Sequence, residues 1–161
     1  MRGQPRWVLA AVLVALSCSG VPGCGGDGDS PELRIRALIE RAERAVEEEN
    51  LSRLAQMISP AYADGAGGDR RAILNQLRYQ FLRNDSIHLL TRLEAIRFPE
   101  PRVAQIEVLV AMAGEPLLSL GDLPELRADL HRFVILLMEE GEGGWLVMRA
   151  EWRRAELEDF L

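Results

Sequence analysis

The spacing of apolar residues changes once along this chain, at Asn84-Asp85. Before this point apolar residues recur every three to four positions, which is the period of a helix packed along one side. After it they alternate with polar residues, which is the period of a half-buried strand. Helices followed by strands predict an α+β fold in which three N-terminal helices pack on an antiparallel sheet of about four main strands.

Three helices are predicted before this change. Ser30-Pro31-Glu32 offers an N-cap hydroxyl, a proline at the first helical position and an acid in the first turn, so a long amphipathic helix begins there. Asn50 can cap a short second helix that reaches Ile58. Asp69 can cap a third helix, in which apolar side chains lie four residues apart at Ile73, Leu77 and Phe81.

Four strands are predicted after the change, at about 86–98, 102–113, 125–139 and 144–154. Pro99-Glu100-Pro101 predicts a tight turn between the first two strands, and the glycine-rich stretch 140–144 predicts a hairpin between the last two. Residues 114–124 are too many for a tight hairpin and predict a flap. The last residues, 155–161, predict a frayed or short helical tail.

The first residues have the features of an export signal. Arg2 and Arg6 form a positive end, and an uninterrupted apolar run follows from Trp7 to Leu16. That run is shorter than the roughly 20 apolar residues that span a bilayer. An export signal is therefore predicted, with a membrane-spanning anchor as the alternative.

Val21-Pro22-Gly23-Cys24 resembles the lipobox of bacterial lipoproteins, in which the cysteine is acylated and becomes the new N-terminus. Ala15-Leu16-Ser17-Cys18 offers a competing site, but the flexible glycine and aspartate tether after Cys24 favours Cys24. The resemblance implies a signal peptide at 1–23, a lipidated tether at 24–30 and one domain at 31–161. Gly25 replaces the aspartate that retains enteric lipoproteins in the inner membrane. For a bacterium with two membranes, the resemblance therefore implies an outer-membrane protein that faces the periplasm.

Charge and cysteine content exclude several classes of protein. The formal net charge is −6, and loss of the two arginines before Cys24 leaves 17 arginines against 25 acidic residues, a net charge of about −8. Nucleic-acid binding needs a basic surface and is not expected. With Cys18 removed and Cys24 acylated, no thiol remains for a disulfide or a nucleophile, and two histidines argue against a metal site. We predict neither a metal nor another cofactor.

The order of motifs resembles the nuclear transport factor 2-like superfamily across residues 31–154. The resemblance is carried by Glu47-Glu48-Glu49-Asn50 before the second helix, by Ile58-Ser59-Pro60-Ala61-Tyr62-Ala63-Asp64 in the loop, and by Gly68-Asp69-Arg70-Arg71 at the third helix. It implies a curved sheet that wraps the long helix into a cone with a pocket at its open end. In the superfamily's isomerases, dehydratases and cyclases, that cone holds an Asp or His base.

Alternation along the strands predicts which side chains face the helices. The predicted inner set is Ile87, Leu89, Leu93, Ile106, Val108, Val110, Leu130, Val134, Leu136, Leu146, Met148 and Trp152. The predicted outer set is His88, Arg92, Glu94, Gln105, Glu107, Arg127, Asp129, His131, Arg149, Glu151 and Arg153. In this register the inner face has two polar members, Thr91 and Arg132, and no strand carboxylate or histidine.

These assignments predict a binding domain, with Arg132, Tyr62, Thr91 and Trp152 as ligand-binding residues. The expected ligand is a small apolar or anionic amphipathic molecule, or a protein partner. Asp129, His131 and Asp64 are weak catalytic candidates for the alternative, an isomerase or dehydratase, and a one-residue shift of the third strand would turn the first two inward. The charged outer face predicts a monomer or a weak homodimer, which disfavours a purely structural role through dimerisation.

Overall fold

The computed structural model describes residues 30–141 and 144–161, so the predicted signal peptide and Cys24 lie outside the described residues. The elements, in chain order, are α1 Pro31–Glu47, α2 Leu51–Met57, α3 Arg70–Arg83, β1 His88–Glu100, β2 Val103–Ala113, α4 Asp122–Glu125, β3 Asp129–Glu140, β4 Gly144–Arg154 and a 3-10 helix at Leu157–Phe160. The predicted α+β class is confirmed. Within these described ranges, no helix combines the length and the apolar character needed to cross a bilayer.

Side-chain caps fix where α1, α2 and α3 begin. The Ser30 hydroxyl accepts a hydrogen bond from the Leu33 N–H at 3.3 Å, and the Asn50 and Asp69 side chains cap α2 and α3 in the same way. Each cap satisfies a backbone donor that the helix itself leaves unpaired. All three predicted helix starts are therefore confirmed.

The strands form one antiparallel sheet in the order β1-β2-β3-β4 within the described residues. Each strand pairs with its sequence neighbour, which is the predicted meander. The start of β3 lies four residues later than predicted, because α4 and a turn with Arg127 at φ 50° occupy the preceding segment.

One face of the sheet, here called the inner face, packs against α1. Ile35 and Leu38 of α1 form a core with Ala104, Ile106 and Val108 of β2, joined by residues of the other strands. Half-buried Leu93, Ile96, Val110, Ile135 and Val147 extend this core along the sheet. The long helix is therefore held by an apolar stripe along one side, as its spacing predicts.

The opposite face, here called the outer face, carries a second core. The connection between β2 and β3 and the C-terminal 3-10 helix cover it with Leu117, Leu123 and Phe160, which pack on Leu109 and Ala111. These covering side chains are buried, so the predicted flap is wrong. Of the two alternatives for the tail, the short helix is confirmed by the 3-10 helix at Leu157–Phe160. Both segments pack on the outer face because their leucine and phenylalanine side chains remove apolar surface there from water.

The orientation predicted for β3 is also wrong. Directly opposite residues of an antiparallel pair share a face, and Ile106 and Val108 of the inner face pair with Ile135 and Phe133. The inner residues of β3 are therefore Asp129, His131, Phe133, Ile135 and Leu137, whereas Leu130, Val134 and Leu136 lie on the outer face. Either set is apolar enough to be buried, so alternation along β3 did not distinguish them.

A bulge changes the predicted orientation within β4. The register shifts between Leu136 and Leu137, where the partners change from Arg149 to Val147 and Met148 becomes the additional residue. Leu146 pairs with Met138 on the outer face instead of the inner face. Trp152, beyond the bulge, pairs with Phe133 and lies on the inner face, as predicted.

Candidate functional site

The inner face of the third strand carries the histidine that sequence analysis placed outside. His131 pairs with Val110 on β2 and with Arg154 on β4, at the end of the sheet where β1 begins. Thr91 pairs with Val110 from the other side, so Thr91 and His131 lie two strands apart, or about 10 Å between their Cα atoms. This arrangement places two polar side chains on one wall of the cone, with a valine between them.

Glu43 of α1 reaches this wall. The Thr91 hydroxyl donates a hydrogen bond of 2.8 Å to Oε2 of Glu43, and the contact is partly buried. Burial raises the pKa of the Glu43 carboxyl, the bond from Thr91 opposes this shift, and the neighbouring charges of Glu47 and Glu40 raise the pKa further. A carboxyl group with a raised pKa inside the cone is a group that can exchange protons.

Sequence analysis missed Glu43 because it counted the acid with the solvated side of the helix. A signal was present, since Ile35, Ile39 and Glu43 follow one another at intervals of four residues. Ile35 is in the core and Ile39 packs beside it, so the next member of this row also points toward the sheet.

Tyr62 belongs to the loop between α2 and α3 and is only 3% exposed. The loop is bound to β4 by two backbone hydrogen bonds, from Ser59 N–H to Val147 and from Ala63 N–H to Met148. The Tyr62 hydroxyl lies close to the Ala150 backbone but makes no hydrogen bond of ordinary geometry with any described residue. Burial raises the pKa of the Tyr62 hydroxyl, and the charge of nearby Asp64 raises it further.

An aromatic row crosses the inner face beside His131. The ring centroids of His131 and Phe133 are 6.3 Å apart, and those of Phe133 and Trp152 are 6.1 Å apart with an interplanar angle of 30°. Trp152 is 39% exposed, and His131 and Phe133 are half-buried. The row therefore presents apolar ring surface that the described part of the chain does not cover.

Helix α3 has half-buried residues on one side and exposed residues on the other. The half-buried residues, spaced at helical intervals, are Ile73, Leu74, Leu77, Gln80 and Phe81. No residue of α3 is fully buried. The helix is thus packed less closely than α1, which contributes Ile35, Leu38 and Ala45 to the buried set.

The other predicted catalytic residues are engaged elsewhere. Asp129 lies on the inner face but is exposed, and its carboxylate pairs with Arg154 at 3.3 Å. Asp64 accepts hydrogen bonds from the Ala66 and Gly68 N–H groups at 2.9 and 2.7 Å, which closes its own loop. Glu43, in contrast, is half-buried and is bonded to Thr91 on the inner face. In the described ranges no group of three acidic, histidine or cysteine side chains could hold a metal ion.

Arg132 was predicted on the inner face, and that placement is wrong. It lies opposite Leu109 on the outer face, and its Nη2 contacts Oδ1 of Asp159 at 2.9 Å. Glu107 lies farther away, at 3.9 Å from Nη1. Arg132 therefore binds the C-terminal tail and is not available to a ligand in the cone, nor does it pair with Asp64 or Asp69.

The predicted ligand-binding residues are thus divided between the two faces. Thr91 and Trp152 are on the inner face, as predicted, and Tyr62 lies beside the Ala150 backbone of β4. Glu43, His131 and Phe133 join them, and Arg132 does not. The resulting site has a partly exposed aromatic wall, a carboxyl group on the facing helix and a buried hydroxyl group.

No protein-family model matches the sequence, and no curated protein matches it. Solved structures do match. A Bdellovibrio bacteriovorus protein has a TM-score of 0.61 and 10% identity over 76% of this chain, and the chain spans only 40% of that protein's length. A provisionally assigned scytalone dehydratase from Novosphingobium aromaticivorans has a TM-score of 0.61 and 13% identity, covering 76% of this chain and 83% of that one.

A third solved structure is an NTF-2-like protein of unknown function from Shewanella oneidensis. It has a TM-score of 0.57 and 12% identity, and the match covers 76% of this chain and 98% of that one. Identities this low establish the fold and do not transfer an activity. The three N-terminal helices and the four-stranded meander give this chain the nuclear transport factor 2-like cone fold.

Proposed function

We propose that this chain is a membrane-anchored envelope lipoprotein whose cone binds a small, largely apolar molecule without transforming it. The observation that carries the binding proposal is the aromatic row His131-Phe133-Trp152, which remains partly open to solvent on the inner face. Aromatic side chains gain most from burial, so an uncovered row is a favourable surface for an apolar ligand.

The polar groups around the row limit the chemistry of the ligand. The Tyr62 hydroxyl is buried beside the Ala150 backbone and is closed to a ligand, so it does not select the ligand's polar group. Glu43 faces the same interior, so a second carboxylate there would be repelled unless one of the two groups is protonated. Glu43 therefore favours an uncharged apolar molecule over an anionic amphipathic one.

The binding proposal is tested by native mass spectrometry of the chain from Gly25 onward, isolated gently from an expression host. We expect a mass above that of the bare chain, and loss of the additional mass in Trp152→Ala. Phe98→Ala is the matched control, because Phe98 is an aromatic residue of β1 with a similar exposure of 41% and lies at the other end of the sheet. A bare mass for the wild type, or equal loss in both variants, would contradict the proposal.

The same spectrum tests whether the chain is a monomer or a weak dimer. The lipid anchor is tested separately, in cells that express the full chain and incorporate labelled palmitate. We expect Cys24→Ser to abolish the label and to release the protein from the membrane fraction, whereas Cys18→Ser should change neither. The reverse result would assign the anchor to Cys18. Absence of the label from the wild-type chain would exclude lipidation.

A second candidate function, isomerisation or dehydration, is favoured by one specific observation. His131 lies on the inner face, and Glu43, whose carboxyl group has a raised pKa, reaches the same face from α1. Glu43 is the candidate base, and His131 is the candidate hydrogen-bond donor. In such a reaction Glu43 would take a proton from carbon while His131 donates a hydrogen bond to a ligand oxygen. In an isomerisation Glu43 would return the proton to another carbon, and in a dehydration the C–O bond would break and the proton would leave with the hydroxyl group as water.

This candidate is tested on the molecule that co-purifies with the protein. Incubated in D2O with the wild-type chain, the molecule should gain deuterium or lose water, and Glu43→Gln should stop the change while the molecule still binds. Thr91→Ser keeps a hydroxyl donor for Glu43 and serves as the conservative control. A bound molecule that is unchanged after incubation would support binding alone.

A further inference from the structure

Helix α3 has a charge opposite to that of the chain. Its residues Arg70–Arg83 include four arginines and no acidic residue, in a sequence whose net charge is −6. One of the four, Arg70, is used inside the fold, where its guanidinium donates to the Ile58 and Ala55 carbonyl oxygens at 3.0 and 2.6 Å. The other three arginines are exposed.

The exposed arginines have no acidic partner. Among the described residues, no carboxylate lies within ion-pair distance of Arg71, Arg78 or Arg83, although seven other arginines of the domain do pair with acids. Arg78 makes one long contact, from Nη1 to Oδ1 of Asn75 at 3.4 Å. Asp69, which caps the start of the helix through Ala72, is one acid beside these three arginines, so the net charge of this surface is positive.

These residues lie on one surface, which we call the α3 face and define as Arg71, Asn75, Arg78, Tyr79, Leu82 and Arg83. Arg71, Asn75, Arg78 and Leu82 recur at intervals of four, three and four residues, on the side of the helix away from the half-buried stripe. A groove of about 600 Å³ runs along the arginines beside Pro60 and Leu74.

The α3 face also exposes large apolar side chains. Leu82 is 81% exposed and Tyr79 is 55% exposed, and the Arg83 guanidinium stacks 5.7 Å above the Tyr79 ring. Leucine and tyrosine tips surrounded by arginines are typical of surfaces that lie at the headgroup level of a bilayer. An acidic protein would fit these side chains as well, but the predicted lipid anchor brings this surface to a membrane and favours a bilayer.

We propose that the α3 face binds the surface of a membrane that contains anionic phospholipids. The guanidinium groups of Arg71 and Arg78 contact lipid phosphates, and the side chains of Leu82 and Tyr79 enter the boundary between headgroups and acyl chains. The predicted anchor supports this, because the five residues between Cys24 and Ser30 let the chain reach at most about 20 Å and keep the domain beside a bilayer. The proposal is independent of what the cone binds.

The test uses the chain from Gly25 onward, which lacks the anchor but retains both buried cores, since these lie between Ile35 and Phe160. Its binding to vesicles of phosphatidylcholine alone and of phosphatidylcholine with phosphatidylglycerol is measured by sedimentation. We expect binding to the anionic vesicles only, and a loss of binding as salt is added.

Variants separate the α3 face from the net charge of the protein. Arg71→Gln with Arg78→Gln should weaken binding about 25-fold, at roughly fivefold for each basic residue near an anionic surface. Arg36→Gln with Arg41→Gln removes the same charge from exposed positions of α1 and should leave binding nearly unchanged. Leu82→Ser should weaken binding to the same vesicles without changing its salt dependence.

Four results would overturn the proposal. The wild type could fail to bind anionic vesicles, or it could bind both types of vesicle equally. The α1 and α3 variants could lose binding affinity equally, or the α3 variant could lose none. Binding to soluble polyglutamate without binding to vesicles would assign the α3 face to an acidic protein instead. Circular dichroism of each variant confirms that the fold is retained.

Discussion

Replacing Phe160 by alanine tests whether the C-terminal tail is part of the folded core. Phe160 has no exposed surface and packs against the apolar side chains of the second core. Arg92 secures the same segment, because its guanidinium donates to the Phe160 carbonyl oxygen and, at 2.7 Å, to the Asp159 carbonyl oxygen, and stacks 5.9 Å above the Phe160 ring.

The structure sets the size of the expected loss. Truncating a fully buried phenylalanine costs about 3–5 kcal/mol, and a segment at the chain end can relax into part of the space it leaves, so we expect about 3 kcal/mol. For a domain of this length, 1 kcal/mol corresponds to roughly 4 °C in Tm, so the midpoint should fall by about 12 °C. Leu161→Ala, next to it but 83% exposed, should change the free energy of unfolding by less than about 0.5 kcal/mol.

Urea unfolding of the chain from Gly25 onward provides the measurement, followed by tryptophan fluorescence and by circular dichroism. A tail that detaches in the variant's native state would also lower the m-value, because less surface would remain to be exposed on unfolding. A loss below about 1 kcal/mol with an unchanged m-value would refute the reasoning, since it would mean that Phe160 contributes little to the second core.

Three further predictions concern single side chains. The backbone N–H of residue 156 and then the Arg132 guanidinium lower the pKa of the Asp159 carboxyl. The contribution of this carboxylate to stability is therefore present above pH about 4 and is lost as the pH falls. Asp159→Asn should destabilise the domain to urea at neutral pH but not in acid. Burial raises the pKa of the Glu43 carboxyl, so the domain loses stability as the pH rises through that pKa. Glu43→Gln should therefore raise the urea concentration at the midpoint of unfolding at neutral pH but not at pH 4. Gly68→Ala would bring a Cβ atom against the Asp64 carboxylate and should lower the Tm by a few degrees, whereas Gly114→Ala, whose Cβ meets nothing within 4 Å, should not.

Local signals predicted the helical half of the fold correctly. Ser30, Asn50 and Asp69 are caps in the structure because their side-chain oxygens can reach backbone donors only three residues away. Such contacts depend on neighbours in the sequence, so one stretch of chain contains all the information. The strand order was predictable for a similar reason, because each strand pairs with the next one along the chain.

The composition of the site depends on contacts that are distant in sequence, and here prediction failed. Alternation assigns a face only if one face is polar, and both faces of β3 are apolar because the tail and the connection after β2 cover the outer one. The side chain at 132 was therefore placed inside and the one at 131 outside, which is the reverse of the structure. Bulges in β1 and between β3 and β4 shift the alternation again, and no local residue pattern marked them.

The two faces of the sheet differ in how completely the chain covers them, and this difference favours the inner face as the binding surface. On the outer face, the tail and the connection bury Phe160 and Leu123 fully, and Arg92 and Arg132 hold the tail in place. On the inner face, the same chain leaves Trp152 39% exposed and Phe133 half-buried. Leaving large rings uncovered forgoes burial energy that Phe160 and Leu123 obtain on the outer face, at about 25 cal/mol for each Å² of apolar surface. A molecule that covers the inner rings would recover that energy, so the opening of the cone is where a ligand would add most to the stability of this fold.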